Sequence, residues 1–336
     1  MTPSENPAGV LRPRPFFIVG CPRSGTTLLR DLLRSHPRLT VPPESHFIPG
    51  FYRAFGDPSS DAEAFQIASR IARYARIGFW RLAPEPRDVA GCRSFGEVAR
   101  RLFEMWAKAQ DKPRWGDKTP HYVREIPLLM RLFPDAQVIH IIRDGRDAAL
   151  SWLRTRFEPQ NLYMAARMWK EMVTMGRRDG AALPADAGLE LRYEALLAQP
   201  EATMRQVCDF LGEPFVADVL RPSRVWKRHH PGLTRLSVRD EIVPENAGKW
   251  KEIMSPQQQA LFESVAGDLL SELGYPVEGY GKPLSRAAEL LFAADHHVRR
   301  LVRIPVKLTR RQRRHAAVAR VGNALRRLTR RWMSTG

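Results

Sequence analysis

The sequence predicts an α/β fold, in which helices flank a mostly parallel central sheet. Two short runs, Phe16–Val19 and Gln137–Ile142, have the length and the β-branched or aromatic character of buried strands. A helical pattern follows each run within a few residues, so strand, loop and helix recur in that order. A third stretch, Leu189–Glu194, alternates as a strand does, and it precedes a helical pattern at Met204–Leu211 that Gly212 ends.

The first of these units carries a glycine-bearing loop that favours an anion. Backbone N–H groups and the positive end of a helix dipole converge in such a loop, which suits a phosphate or a sulfate. The spacing from Gly20 to Gly25 is that of a nucleotide-binding P-loop, but Thr26 stands where the phosphate-binding lysine would be, and this disfavours a kinase or NTPase. An arginine and three hydroxyl groups remain as donors: Arg23, Ser24, Thr26 and Thr27.

The segment Pro22–Leu28 resembles the phosphosulfate-binding loop of sulfotransferases that use 3′-phosphoadenosine 5′-phosphosulfate (PAPS). The resemblance covers about residues 15 to 280 and points to the bacterial, tyrosylprotein-sulfotransferase-like branch. It implies a P-loop-like sheet, PAPS as the sulfuryl donor, and transfer to a hydroxyl or an amine. It also implies that the loop residues bind the nucleotide: Pro22, Arg23, Ser24, Gly25, Thr26 and Thr27.

Glu44 is the candidate general base. It lies about twenty residues past the loop, and one helix plus one strand would return the chain to the same pocket. The segment Glu44–Pro49 is similar to the Glu-x-x-hydrophobic-Ile-Pro segment that carries the catalytic glutamate of the tyrosylprotein branch. We therefore expect Glu44 to take the proton of the acceptor, with a solvated surface glutamate as the alternative.

Two further residues are candidates for stabilising the leaving phosphate. Lys118 lies in Arg114–His121, a polar segment expected between helical stretches, which resembles the Lys-Thr/Asp-Pro element of the family. An ammonium there would neutralise charge in the transition state, and a solvated lysine is the alternative. Ser237 belongs to a stretch similar to the family's Ser-x(6)-Pro-x-Asn pattern and would donate a hydrogen bond to the same phosphate; an ordinary surface loop explains it as well.

The second strand leads to another anion site. Arg143 follows the strand and Ser151 lies on the next helix, predicted over Ala148–Thr155, and nucleotides bind where parallel strands end. This pair matches the family's site for the 3′-phosphate of PAPS, in which an arginine fork and a hydroxyl bind the phosphate. A salt bridge from Arg143 to Asp144 or Asp147 is the alternative.

Three predictions concern residues outside these two strand-loop-helix units. Residues 57 to 114 are expected to form a helical insertion with a capping box at Ser94–Glu97. Tyr193 lies in a Tyr-Glu-x-Leu piece that resembles the family, and it is either a nucleotide contact or a core residue. The aromatic residues of the insertion are predicted to be core rather than ligand stackers: Phe79, Trp80 and Trp106.

Positive charge is concentrated in the C-terminal part of the sequence. The formal net charge is +18, and residues 282–336 carry 15 basic and two acidic residues of the total. We expect a disordered lead-in over residues 1–15, a sulfotransferase domain over 16–281 and a basic, amphipathic helical tail over 282–336. The tail suits an anionic membrane surface, and a solvated extension is the alternative. Its charge would attract nucleic acid, but no recognition motif supports a specific nucleic-acid partner.

Composition limits the disulfides, metal sites and cellular locations that the sequence predicts. The three cysteines are far apart and no His/Cys array is present, so we expect neither a disulfide scaffold nor a metal. The first fifteen residues lack an apolar signal-peptide core, so a cytoplasmic enzyme, peripheral to the inner membrane surface at most, is predicted. The acceptor stays open among a peptide tyrosine, a carbohydrate, a lipid and a small metabolite. The alternative functions are a catalytically silent nucleotide-binding or membrane scaffold, an ATP-dependent kinase and a nucleic-acid binder.

Overall fold

The computed structural model describes residues 13–155, 159–221, 242–279 and 283–303. The chain divides into two compact units. Among the described residues, the first comprises residues 13–20, 25–142, 175–221 and 242–244, and the second comprises residues 21–24, 143–155, 159–174, 245–279 and 283–303. Ser237 and the predicted tail beyond residue 303 lie outside the described residues.

The first unit is built on a parallel sheet. Its strands are β1 (Phe16–Val19), β2 (Leu39–Thr40), β3 (Arg114–Lys118), β4 (Gln137–Ile142) and β5 (Gly188–Arg192). Among the described residues they form one five-stranded sheet in the order β2-β3-β1-β4-β5, and each neighbouring pair is parallel. Every residue of β1 is fully buried, as its apolar run predicts for a central strand. The predicted α/β fold is confirmed.

Helices of the first unit follow the predicted pattern in part. They are α1 (Thr26–Arg34), α2 (Ile48–Phe55), α3 (Asp61–Ala72), α4 (Phe95–Ala109), α5 (Ile126–Leu132), α8 (Tyr193–Ala198) and α9 (Pro200–Leu211). The capping box is present, because the Ser94 hydroxyl accepts from the Glu97 amide and the Glu97 carboxylate accepts from the Ser94 amide at 3.0 Å. Trp80 and Trp106 are buried as predicted.

The predicted helical insertion at residues 57–114 is helical in part, because residues 73–94 contain turns and short 3₁₀ segments between α3 and α4. Two neighbouring predictions are wrong. Phe79 is 77% exposed, because the 3₁₀ turn at residues 78–80 buries Trp80 and leaves the neighbouring ring outside. The segment expected as a polar connector is strand β3, whose polar residues Arg114, Asp117 and Lys118 are all buried.

The second unit is helical. Its described helices are α6 (Gly145–Leu153), residues 162–174 of α7 (Leu162–Ala181), α10 (Trp250–Ile253), α11 (Pro256–Glu272) and α12 (Arg286–Arg303). Helix α6 begins three residues before the predicted start, because the Asp144 side chain caps it by accepting from the Arg146 amide at 2.9 Å. The Arg146 guanidinium is fully buried between Asp144, Glu263 and the Trp250 ring.

Helix α12 packs against Gln160 and Asn161, within the second unit, through polar contacts. The Asn161 amide donates to the Phe292 carbonyl at 2.7 Å and to Asp295 Oδ2 at 3.0 Å. The Gln160 amide N–H donates to His296 Nδ1 at 3.1 Å, and Asp295 also pairs with Arg299. The first part of the predicted tail is therefore a packed helix. No helix within the described residues is long and apolar enough to cross a membrane.

Candidate functional site

The loop after β1 is shaped by backbone with positive φ. Gly20 has φ 153°, and a Cβ there would lie 2.4 Å from the Ile141 carbonyl oxygen of the adjacent strand β4. Arg23 is a non-glycine residue in the left-handed region at φ 73°, and Gly25 has φ 91°. Loops of this kind, when they lead into a helix, gather backbone N–H groups into anion-binding concavities.

Helix α1 begins directly after this loop without a side-chain cap. Its N-cap residue is Gly25, which offers no side-chain acceptor, and its first turn contains no acidic residue. Ser24 is fully buried, and its hydroxyl has no hydrogen-bond partner among the described residues. A buried hydroxyl without a partner is costly unless a ligand satisfies it. The uncapped start of α1 by itself has the backbone N–H groups and the dipole that suit a phosphate or sulfate group.

Glu44, Lys118 and Thr27 meet in the first unit. Lys118, the last residue of β3, donates from Nζ to Glu44 Oε1 and, at 3.4 Å, to Thr27 Oγ1 in the first turn of α1. Glu44 and Thr27 lie 74 and 91 residues from Lys118 in the sequence. The Lys118 side chain is 2% exposed and that of Glu44 is 34% exposed, so solvent reaches the carboxylate.

His46 completes this cluster. Its Nε2 lies 2.7 Å from Glu44 Oε2, the carboxylate oxygen that does not bond Lys118. Burial raises the pKa of Glu44, but the His46 hydrogen bond and the Lys118 ammonium outweigh burial and lower that pKa to about 2. Burial lowers the pKa of Lys118, against the opposite effect of Glu44. We call Glu44, His46, Lys118 and Thr27 the Glu44 cluster.

Buried polar groups anchor the segment that carries Glu44. Ser45 donates from its amide to Thr119 Oγ1 at 3.1 Å and from its hydroxyl to Asp117 Oδ2 at 3.0 Å. Further along, the Ile48 amide donates to the Tyr122 hydroxyl at 3.0 Å. Asp117 is fully buried, and burial raises its pKa to about 6. The segment after β2 is thus fixed to β3 and to the turn that follows it.

The second unit brings Arg23, Arg143 and Ser151 together. Arg143 donates to the main-chain oxygens of Arg23, at 3.1 Å, and Asn246. Arg23 Nε donates to Ser151 Oγ at 3.0 Å. The guanidinium of Arg143 also lies 3.7 Å from Asp147, so one of the two alternative ion pairs is present. We call Arg23, Arg143, Asp147 and Ser151 the Arg143 cluster.

Asp147 is held by the main chain. Its two carboxylate oxygens accept from the Gly248 amide at 2.7 Å and from the Trp250 amide at 2.9 Å. Burial raises the pKa of Asp147, and the nearby Arg143 charge opposes that change. Asp144, the other predicted partner of Arg143, pairs with Arg146 at 2.8 Å.

Tyr193 is a buried residue that packs on the loop. It is 3% exposed and opens helix α8. A Cβ on Gly25 would lie 2.2 Å from its ring, so the ring occupies the space beside the glycine. A nucleotide contact by Tyr193 stays a prediction. Within the described part of the chain, no group of three or more His, Cys, Asp or Glu residues is arranged to hold a metal ion.

Comparison with known proteins decides the family. A family model described as "Sulfotransferase family" matches residues 15–218. The chain belongs to the sulfotransferase family. It is 27% identical over 306 residues to protein-tyrosine sulfotransferase A of Caenorhabditis elegans, a match that covers 84% of this chain and 74% of that protein. It is 28% identical to the nodulation protein NoeE of Sinorhizobium fredii, over 77% of this chain and 65% of that protein, just under two thirds.

Solved sulfotransferase domains share the fold. The domain from the curacin biosynthetic pathway matches with a TM-score of 0.54 and 25% identity, over 79% of this chain and 99% of that domain. The domain from the Synechococcus PCC 7002 olefin synthase matches with a TM-score of 0.55 and 23% identity, over 79% and 96% of the two chains, and shows the fold alone. The predicted family resemblance, with tyrosylprotein-type relatives, is confirmed.

Sequence reasoning missed several residues of the candidate site. His46 and Asp117 adjoin predicted residues, but no spacing pattern marked either one. Asn246 lies in the same stretch as Ser237, and its carbonyl accepts from Arg143. The position of each next to a motif residue was the only available signal in the sequence.

Proposed function

We propose that this protein transfers the sulfuryl group of PAPS to a hydroxyl or an amine of an acceptor. The observation that carries the proposal is the convergence of Thr27, Glu44 and Lys118, which places a hydroxyl, a carboxylate and a buried ammonium next to the start of α1. Membership of the sulfotransferase family supports sulfuryl transfer as the reaction class.

The chemistry of the donor set supports a doubly phosphorylated nucleotide. The loop Pro22–Thr27, with its unpartnered Ser24 hydroxyl, and Lys118 would hold the 5′-phosphosulfate. Arg143 and Ser151 would hold the 3′-phosphate, because a guanidinium fixed by two main-chain carbonyls presents its charge in one orientation. PAPS, when bound, supplies an activated sulfuryl group.

Glu44 would act as the general base. Its carboxylate is charged at neutral pH and its exposed side can accept the proton of an acceptor hydroxyl. A carboxylate whose pKa is about 2 is a weak base, and the Lys118 ammonium is one cause of that value. When Lys118 bonds an anion at the loop instead, Glu44 loses this interaction and its proton affinity rises. Lys118 would then neutralise the charge of the leaving phosphate.

Transfer from labelled donor tests the proposal. The purified protein is incubated with ³⁵S-labelled PAPS and with acceptor panels of tyrosine peptides, oligosaccharides, lipids and small metabolites; γ-³²P-labelled ATP is the parallel donor. We expect a ³⁵S-labelled product and no ³²P-labelled product. The Lys118→Ala variant should lose transfer, whereas Lys249→Ala, at an exposed residue, should keep it.

Two results would overturn the proposal. Transfer of ³²P with indifference to PAPS would favour a kinase. Binding of adenosine 3′,5′-bisphosphate with no product on any panel would favour a silent scaffold. Contact of residues 282–336 with an anionic membrane stays a prediction, since the residues beyond 303 lie outside the described part.

A further inference from the structure

His46 has no role in the mechanism above, yet it contacts the proposed base. Its Nε2 lies 2.7 Å from Glu44 Oε2, and its side chain is 21% exposed. Because the low pKa of Glu44 keeps that carboxyl ionised, the shared hydrogen belongs to the imidazole, and Nε2–H is the donor. The two oxygens of the carboxylate are thus held by two donors, Lys118 and His46, from separate segments.

The backbone at His46 is built to return its ring to Glu44. His46 has φ 54°, in the left-handed region that non-glycine residues seldom adopt. Such a conformation persists where the surrounding structure fixes it. Here Ser45 is bonded to Asp117 and Thr119 on one side, and Ile48 is bonded to Tyr122 on the other. The turn at His46 is therefore held from both ends.

The two bonds to Glu44 differ in what happens to them during the proposed reaction. Lys118 faces the loop as well as Glu44, so an anion at the loop competes for its ammonium. His46 bonds the opposite carboxylate oxygen, away from that competition. When the Lys118 bond is exchanged, the His46 bond is the one that keeps the carboxylate plane in place. Small displacements of a reacting group cost large factors in rate.

We propose that His46 is a positioning residue, whose Nε2–H holds Glu44 Oε2 and so orients the carboxylate for proton transfer while Lys118 turns to the donor phosphate. This inference rests on the proposed function. The competing interpretation is an ordinary surface hydrogen bond that affects neither orientation nor turnover.

Two substitutions at residue 46 separate these interpretations. Glycine adopts φ 54° without steric strain, so His46→Gly removes the ring and leaves the folded backbone unstrained. Glutamine places an amide donor near the former Nε2, so His46→Gln restores the bond without an imidazole. The matched control is His121→Gly, at a neighbouring histidine whose ring centroid lies 6.4 Å from that of His46.

We expect kcat to fall about 10- to 100-fold in His46→Gly, with the KM for PAPS within about twofold of the wild-type value. His46→Gln should recover most of the turnover, and His121→Gly should keep it. Equal turnover in His46→Gly and His121→Gly would overturn the inference. So would a parallel loss of nucleotide affinity and thermal stability in His46→Gly that His46→Gln does not rescue, since that pattern indicates a structural role.

A second measurement is independent of turnover. ¹³C NMR titration of the Glu44 carboxyl, without nucleotide, should show a higher pKa in His46→Gly and partial restoration in His46→Gln, because the imidazole bond lowers the pKa. The charged groups that also act on Glu44 or respond to it, Lys118, Asp117 and His121, are unchanged in these variants. An unchanged titration would overturn the inference. Failure of the proposed function is distinct, because the wild-type protein would then transfer no label.

Discussion

Charged groups around Glu44 are held by other side chains, whereas charged groups around Arg143 are held mainly by the main chain. Lys118 bonds Glu44 and Thr27, and Glu44 bonds His46. Arg143 instead donates to two carbonyl oxygens, and Asp147 accepts from two backbone amides. Side-chain partners titrate and can exchange when a ligand arrives. Main-chain partners can do neither, so they fix a charge in place.

The difference indicates separate tasks. The Glu44 cluster has the exchangeable protons and charges that a reaction needs. The Arg143 cluster presents a guanidinium of constant charge and orientation, which suits binding. Substitutions in the Glu44 cluster should therefore change rates and pH dependence, and substitutions in the Arg143 cluster should change affinity. Glu44→Gln and Arg143→Ala each test one side of this division, and Asp117→Asn and Gly25→Ala test the groups that support the two clusters.

Glu44→Gln should have the largest effect. Loss of a general base lowers turnover by about 10²- to 10⁴-fold. Binding of adenosine 3′,5′-bisphosphate should not weaken, because Lys118 loses only its carboxylate partner. Initial rates with labelled PAPS and calorimetric titration with the bisphosphate measure the two quantities. A loss of affinity as large as the loss of rate would contradict the expected separation between rate effects in the Glu44 cluster and affinity effects in the Arg143 cluster.

Asp117→Asn should alter the pH dependence of stability. The pKa of Asp117 is about 6 in the folded protein, above the ordinary value near 3.9, so the folded state retains a proton that the unfolded state has lost. The free energy of unfolding contributed by this group therefore falls as pH rises from about 4 to about 6, by about 3 kcal/mol at most. Asparagine removes this contribution. Urea unfolding at pH 4.5 and 6.5 gives the free energy of unfolding of each protein at each pH. The change in this free energy between the two pH values should differ between the wild-type protein and Asp117→Asn, and equal changes would contradict the prediction.

Arg143→Ala should weaken binding of adenosine 3′,5′-bisphosphate by about 10- to 100-fold, since a charge-assisted hydrogen bond contributes about 1.5–3 kcal/mol. Binding of AMP, which has no 3′-phosphate, should change much less. Lys249→Ala is the control, because Lys249 is an exposed cation that bonds the Asn246 side chain. Equal losses for both nucleotides would remove the 3′-phosphate assignment.

Gly25→Ala should leave the charged groups of both clusters in place and lower the free energy of unfolding by about 1–3 kcal/mol. The new Cβ would meet the Tyr193 ring at 2.2 Å, in addition to the strain at φ 91°. Gly56→Ala is the control for strain alone, because Gly56 has φ 62° with nothing within 4 Å of a Cβ. Chemical denaturation of both variants measures the difference. Equal losses would show that the ring does not constrain the loop.

Local sequence patterns predicted the strands whose own residues are mostly apolar or β-branched. Strand β1 is a continuous apolar run and β4 consists mostly of Val and Ile, and both appear with their predicted bounds. Strand β3 was not predicted, because the polar residues Arg114, Asp117 and Lys118 are typical of an exposed connecting segment. Hydrogen bonds to residues distant in the sequence compensate for their burial. A hydropathy pattern contains no information about such partners.

The same limit applies to the candidate site. The convergence of Glu44 with Lys118 was expected because each matched a family motif, and the proximity of Arg143 to Ser151 was expected from one strand-to-helix corner. His46 matched no motif, since its role depends on a single positive φ and on anchors more than 70 residues away. The roles of all these residues stay predictions.

The packing of α12 has a practical consequence for the C-terminus. Phe292, Asp295 and His296 make its buried contacts, and all three precede residue 303. Residues 304–336 hold ten basic and no acidic residues, so a polypeptide ending at Arg303 would carry a formal charge of +8 instead of +18. Truncation there should change solubility and surface adsorption without changing folding. A cut before Arg286 would instead remove Phe292 and Asp295, the two acceptors of the Asn161 amide.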